Sequence, residues 1–474
     1  MSFQSLDFLA FVAAVTAVCL LVGRWKPWAA KLLLALGCIG FCLDAGLRGF
    51  AVLCCGAAVS WAAVKFLAAD RPQKQRRAVM TAAAAWHIGV LAVFKYTGFV
   101  TGGAVSVGWV PLGLSFFTFQ QLWLLKEVYS REYVPQRGDD LLLYALFFPS
   151  VTSGPILRPG KFFPQLRREG FLRPTWEDAT AGICGICVGT AKKVLLADAF
   201  GVVVNNGWNG AATSAPAAWL TILGYTMQLY FDFSGYCDIA AGCARLLGIR
   251  LPMNFDSPYR SLSVTEFWKR WHITLTTFLR ECVYFPLGGS KKGAARAYLN
   301  ILIVFLISGI WHGAGWTFIV WGLLHGLAQI TERLLGKAPQ RLPKALRWAL
   351  TFLFVNLAWV FFRAPDLSSA WALLQTAFTG EVGLSLPTLA AGLFPKERAA
   401  LQLLRPDMAP KLNALLVSVL YGAGAAVALY PRSAARDMEE GRCFGFLRCA
   451  LLAVAAAWAI LSFTGVTTFI YSNF

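Results

Sequence analysis

The chain has 474 residues, of which 57% are hydrophobic and only 14% charged, and its mean hydropathy is +0.58. That balance excludes an ordinary water-soluble domain and marks a polytopic membrane protein. A formal net charge of +19 suggests nucleic acid only at first sight: the basic residues fall in short clusters between apolar runs, as cytoplasmic loops do, and no nucleic-acid partner is expected.

A membrane crossing takes roughly 20 apolar residues. Spans are predicted at 5–23, 29–46, 49–68, 79–96 and 107–126. The first has no basic stretch before it and no small-residue cleavage site after it, so it is expected to be retained. Basic clusters follow the first, third and fifth spans (Arg24 to Lys31, Arg71 to Arg77, Lys126 to Arg137), which predicts an extracytoplasmic N terminus in the cell (inner) membrane. The stretch LLLYALFFPSVTSGPIL is flanked by basic residues on both sides and broken at Pro149 to Pro155, so it is predicted to be re-entrant and to wall a cavity.

Further spans are predicted at 178–205 and 215–238, and then at 297–312, 315–334, 346–363, 412–430 and 447–469, which puts the C terminus outside as well. Between them, residues 241–296 are basic and proline-interrupted. Phe267, Trp268, Trp271, Leu275, Phe278 and Leu279 recur there at helical spacing, which predicts one amphipathic helix in the membrane interface. The fold class read from this pattern is all-α, with about eleven transmembrane helices. No internal repeat is visible, which argues against a transporter built from duplicated halves.

The chain uses four histidines, and three of them, His272, His312 and His325, fall in one stretch among Trp, Asp, Glu and Arg. His312 ends an apolar run and precedes Gly313-Ala314-Gly315. There it reads either as a general base toward an acceptor hydroxyl, with the glycines admitting a bulky substrate, or as a helix-end cap. His272, beside Lys269, Arg270, Trp271 and Arg280, reads as an interfacial residue, and His325 and His87 read as packing residues. Asp232 and Asp238 are carboxylates within a span, where ionisable groups are functional or paired; each is expected to pair with an arginine of the following basic segment. The cysteines read as small hydrophobes, Cys184 and Cys187 included, and no metal site is expected.

At these residues the chain resembles the membrane-bound O-acyltransferase family, in its bacterial branch that acylates surface polymers. The words that carry the likeness are VPLGLSFFTFQ (110–120), FFPSVTSGPILRPGKFFPQL (147–166), GTAKKVLLAD (189–198), YFDFSGYCDIAAG (230–242), NFDSPYRSLSVTEFWKRWHITLTTFLRE (254–281), YFPLGGSKKG (284–293), SGIWHGAGWTFIVWGLLHG (308–326) and NLAWVFFRA (356–364). They stand in family order, while SVTSGPILRP and Glu127 depart from the usual pattern. The resemblance implies one domain over 1–474, with a catalytic core at about 110–364 and peripheral spans at 1–100 and 412–470.

The resemblance further implies His312 as catalytic residue, His272 as its companion, and a tunnel supported by Trp311, Asp232, Asp238, Glu266, Trp271, Arg270, Arg280 and His325. With the predicted topology, a line between the two histidines crosses much of the bilayer. No permanently bound cofactor is implied: an acyl thioester, acetyl-CoA or an acyl carrier protein, would serve as co-substrate from the cytoplasm. The acceptor would be a hydroxyl of an exported polysaccharide or cell-wall glycan, reached directly or through an extracytoplasmic serine-esterase-like partner. D-alanyl transfer, a lipid-linked-sugar transporter and a haem protein remain as alternatives.

Overall fold

The computed structural model describes residues 5–463 except 106, 136, 169–170, 406–407, 409–410 and 441–444. Among the described residues all regular structure is helical. Helices α1 (Leu6–Gly23), α2 (Pro27–Asp44), α3 (Leu47–Ala68) and α4 (Gln73–Val100) each pack on the next, and α4 packs on α5 (Leu114–Tyr129). The short loops between them leave little choice but antiparallel neighbours. The predicted fifth span starts late because Gly113 stands at φ +77 just before α5. A side chain there would strike the Val151 carbonyl, so the helix can begin only after it.

The segment expected to be broken is broken and buried: α6 (Gly138–Leu146), the single turn α7 (Phe148–Val151) and, beyond the Gly-Pro break, α8 (Pro159–Phe162). Its exit is anchored by Glu127. That buried carboxylate accepts from Arg158 Nε at 2.7 Å and from the Gly160 amide at 2.8 Å. A charge-assisted pair of this kind fixes the chain's direction as well as its position.

Helix α9 (Trp176–Ala191) starts at a capping box between Thr175 and Asp178 and runs through a π-helical turn (Lys192–Ala197) into α10 (Asp198–Asn206). Against α9 lies α11 (Ala215–Leu246), the long helix at the centre of the fold, buried along most of its length. The two backbones approach through glycines: a Cβ at Gly235 would lie 2.8 Å from the Gly189 carbonyl. Such small-residue packing is how helices associate where lipid removes the hydrophobic driving force.

The remaining helices are α12 (Val264–Arg270), α13 (Ile273–Leu279), α14 (Ala294–His312), α15 (Trp316–Leu335), α16 (Lys344–Arg363), α17 (Leu367–Thr379), α18 (Leu386–Leu389), α19 (Pro395–Leu404), α20 (Leu412–Ala428), α21 (Ala434–Glu439) and α22 (Phe446–Leu461). The predicted last span corresponds to α22, and residues 464–474, with the C terminus expected outside, lie beyond the described residues, as do residues 1–4.

Six helices among the described residues, α1 to α4, α14 and α16, are long and apolar enough to cross a membrane, and α20 and α22 are shorter apolar helices. The sequence reading of about eleven crossings therefore stands only in part. Helices such as α5 and α11 carry buried polar groups, Gln120 and Gln121 in one and Asp232 and Asp238 in the other. They face protein, and this lowers their apolar character below that of a lipid-exposed span.

Candidate active site

The expected single amphipathic helix is two helices, α12 and α13, broken at Trp271-His272, where His272 takes φ +45. Neither half lies as an interfacial strip: Phe267, Trp268, Trp271, His272, Leu275 and Phe278 are all buried. The break comes from 254–256. The Asn254 carbonyl accepts from the Ile273 amide at 3.0 Å, and the Asp256 amide donates to the Arg270 carbonyl at 2.9 Å. The Asn254 side-chain oxygen then accepts from the Thr274 amide at 3.1 Å, as an N-cap does.

This brings His272 against the WHG turn. Trp311 stands between the two histidines, its ring centroid 4.8 Å from that of His312 and 6.2 Å from that of His272. The imidazoles are thus no farther apart than those two distances together, and the expectation that they lie far apart across the bilayer is corrected. Both are buried. Phe119 stacks on the Trp311 indole at 4.9 Å, Phe116 stacks on His272 at 6.1 Å, and the indole N–H donates to the Ser115 carbonyl at 3.2 Å.

The last carbonyls of α14 would be orphaned at a helix end. Here α4 satisfies them in trans: Tyr96 donates to the Ile310 carbonyl at 2.6 Å, and the Lys95 ammonium donates to the carbonyls of Trp311 and, at 3.2 Å, His312. A cation at a helix C terminus also complements the helix dipole. Sequence reasoning missed Lys95, whose only signal is a lone charge inside an apolar span. Gly313 has a packing role that the sequence did not show: a side chain there would collide with the Phe318 ring.

His325 lies in the same aromatic cluster, 5.0 Å from Trp321, which also meets His312 at 5.1 Å. It accepts at Nδ1 from the Trp268 indole N–H at 3.1 Å, as a packing residue would. Trp271 packs at 5.1 Å on Trp359. Glu266 accepts from the Leu262 amide at 2.9 Å and from Arg270 at 3.0 Å, and Arg270 reaches back to the Asp256 carbonyl at 3.2 Å. This pair clamps the 254–256 stretch that positions His272, whereas Arg280 is exposed.

Asp232 and Asp238 are both in buried ion pairs, but not with arginines. Asp238 meets Lys192 at 2.6 Å, and Asp232 meets Lys193 at 2.6 Å, with Asp198 also on Lys193 at 2.8 Å. Both lysines open the π-helical turn, which packs on α11. The signal was present in GTAKKVLLAD, whose two lysines sit inside an apolar run.

A cavity of about 470 Å³ opens between α9, α20, α21 and α22, with Arg432 and Arg448 in its wall. A narrower one, of about 30 Å³, has Arg245, Arg250, Asn254 and Phe255 in its lining. Lys192, Tyr230, Ser433 and Met438 line both cavities.

Residues 139–365 match the model of MBOAT, the membrane-bound O-acyltransferase family. The chain is 39% identical over 339 residues to the peptidoglycan O-acetyltransferase of Helicobacter pylori, covering 63% of each protein. It is 37% identical over 279 residues to the probable alginate O-acetylase of Pseudomonas aeruginosa, covering 57% of this chain and 52% of that one. With the teichoic acid D-alanyltransferase of Bacillus subtilis it shares 30% over 235 residues, 46% of this chain and 57% of the relative. The chain thus spans less than two thirds of the length of these relatives. Over residues 139–365, which contain both His272 and His312, it carries a domain of the membrane-bound O-acyltransferase family.

Proposed function

We propose that this protein is a membrane O-acyltransferase that moves an acyl group, acetyl in the first instance, from a thioester donor to hydroxyls of a surface polysaccharide or of peptidoglycan. The observation that carries the reading is the pair of buried histidines on either side of Trp311 within the matched domain. His312 acts as general base: its imidazole takes the proton of the acceptor hydroxyl as the oxygen attacks the thioester carbonyl, and the donor's thiolate leaves. His272 is its companion, and the whole chain acts as one catalytic unit in the cell membrane. Acetyl transfer is favoured over D-alanyl transfer because the O-acetylating relatives are the more similar, at 39% and 37% against 30%.

Acetyl-CoA or an acylated carrier protein supplies the thioester from the cytoplasm. The support for a donor path is the pair of cavities with shared walls, the narrower of which has Asn254, the neighbour of His272, in its lining together with Arg245 and Arg250, both held by Asp178. Arginines suit the phosphates of such donors. The acceptor arrives from outside, directly or through an extracytoplasmic esterase-like partner. Mass spectrometry and NMR of surface glycans from cells with and without the gene test the reading. Loss of one ester-linked acyl group on deletion names donor group and acceptor together; an unchanged ester content would overturn it.

A further inference from the structure

The break between α12 and α13 decides which nitrogen of His272 carries its proton. The side-chain oxygen of Asn254 faces the Thr274 amide at 3.1 Å and the Thr274 hydroxyl at 2.9 Å. A backbone N–H only donates, so the atom opposite it is the amide oxygen, and the Asn254 amide nitrogen turns to the Cys237 sulfur at 3.4 Å. The same oxygen lies 3.2 Å from Nδ1 of His272. An amide oxygen only accepts. Nδ1 therefore bears the hydrogen, and in the neutral ring Nε2 is a bare lone pair.

That lone pair is buried and has no hydrogen-bond partner among the described residues. Around it stand Phe116, Phe233 and Trp311, whose rings offer no strong donor in its direction; the one indole N–H is spent on the Ser115 carbonyl. A buried acceptor without a donor carries a desolvation cost, which a ligand's O–H would relieve. His325 is the opposite case. Its Nδ1 faces the Trp268 indole N–H, a group that can only donate, so in the neutral ring the hydrogen of His325 sits on Nε2.

We infer that Asn254 is a positioning residue that holds His272 in the Nδ1–H tautomer, so that Nε2 receives the hydrogen bond of a hydroxyl on the acyl acceptor. This rests on the acyl-transfer reading for the identity of the ligand, though not for the tautomer. A lone pair repels the thioester's carbonyl oxygen and attracts O–H, so His272 serves a hydroxyl and not the thioester carbonyl. One hydroxyl proton serves one base. With His312 taking the proton of the reacting hydroxyl, Nε2 of His272 holds another, non-reacting hydroxyl, and the acceptor class is a polyhydroxyl unit such as a sugar ring.

The chain's four histidines make the test direct. Protein labelled with 15N-histidine and assigned by single histidine substitutions is expected to show His272 protonated at Nδ1 and His325 protonated at Nε2 in the same spectrum. Asn254→Asp keeps an oxygen opposite the ring and keeps Nδ1 protonated. Asn254→Ala removes it, and the Nε2–H form of His272 appears while the His325 signals stay put and report an intact bundle. Wild-type His272 protonated at Nε2 alone would overturn the inference, as would an Asn254→Ala spectrum identical to wild type.

A second arm reads the acceptor role in membranes supplied with 14C-acetyl-CoA and the cells' own surface glycan. Asn254→Ala raises the glycan concentration needed for half-maximal labelling at least tenfold, and by more than it changes that for acetyl-CoA. A shift in the acetyl-CoA requirement alone would refute the acceptor assignment. The spectra decide the tautomer whether or not the membranes transfer label, so failure of the transfer reading and failure of this one are separable.

Discussion

Replacing Lys192 by Met leaves the Asp238 carboxylate, buried in the centre of α11, without its cation. The pair stands at 2.6 Å with side chains 9% and 6% exposed, a separation worth about 6 kcal/mol of attraction at an effective dielectric constant of about 20. Desolvation of both ions offsets much of that, and the cost of removing one partner is about 3–5 kcal/mol. At about 2 °C per kcal/mol, the thermal midpoint of the detergent-purified protein falls by on the order of 6–10 °C. Lys192→Met combined with Asp238→Leu removes both charges and recovers most of the loss, because no lone ion is then buried. Size-exclusion chromatography after a temperature series measures all three proteins. A single mutant as stable as wild type would refute the reasoning, and so would a double mutant no better than the single.

Lys95→Met removes the cap on the WHG carbonyls and is expected to lower acyl transfer by on the order of 10–100-fold, the scale of a small displacement of a catalytic group. Lys95→Arg restores part of it, and thermal stability moves by no more than about 2 kcal/mol; initial rates and melting of the three proteins check this. At the other end of the fold, burial pushes the Asp139 carboxyl up, but hydrogen bonds from Lys31 and Arg137 outweigh it and hold its pKa at about 2, against an ordinary 3.8. Its contribution to stability is therefore complete above about pH 4 and lost as the pH falls toward 2. Melting of wild type and Asp139→Asn should differ at pH 5 and converge on acidification.

What the sequence revealed was what is locally encoded. Apolar runs locate α1 to α4, α14 and α16, and Pro149 to Pro155 announce a broken segment, because hydropathy and proline act within a few residues. The concentration of histidines marked the site. The break at His272 was hidden, since Phe267, Trp271, Leu275 and Phe278 keep helical spacing across it and are all buried. Its cause, Asn254, lies 18 residues upstream of the ring it contacts. The partners of Asp232 and Asp238 were hidden for a similar reason: a π-helical turn, not a run of arginines, sets which cations face α11. Lys95 meets Trp311 from 216 residues away, a distance at which periodicity carries no information.

The proposed chemistry turns on His312 as the base of an acyl transfer. Cells carrying His312→Ala, matched to wild type in protein abundance by immunoblot, put that to the test through the ester-linked acyl content of their exported glycans. The esters are expected to fall by at least about 100-fold while the amount of glycan exported stays the same. Esters retained at the wild-type level would contradict it, and loss of glycan export itself would point to transport instead.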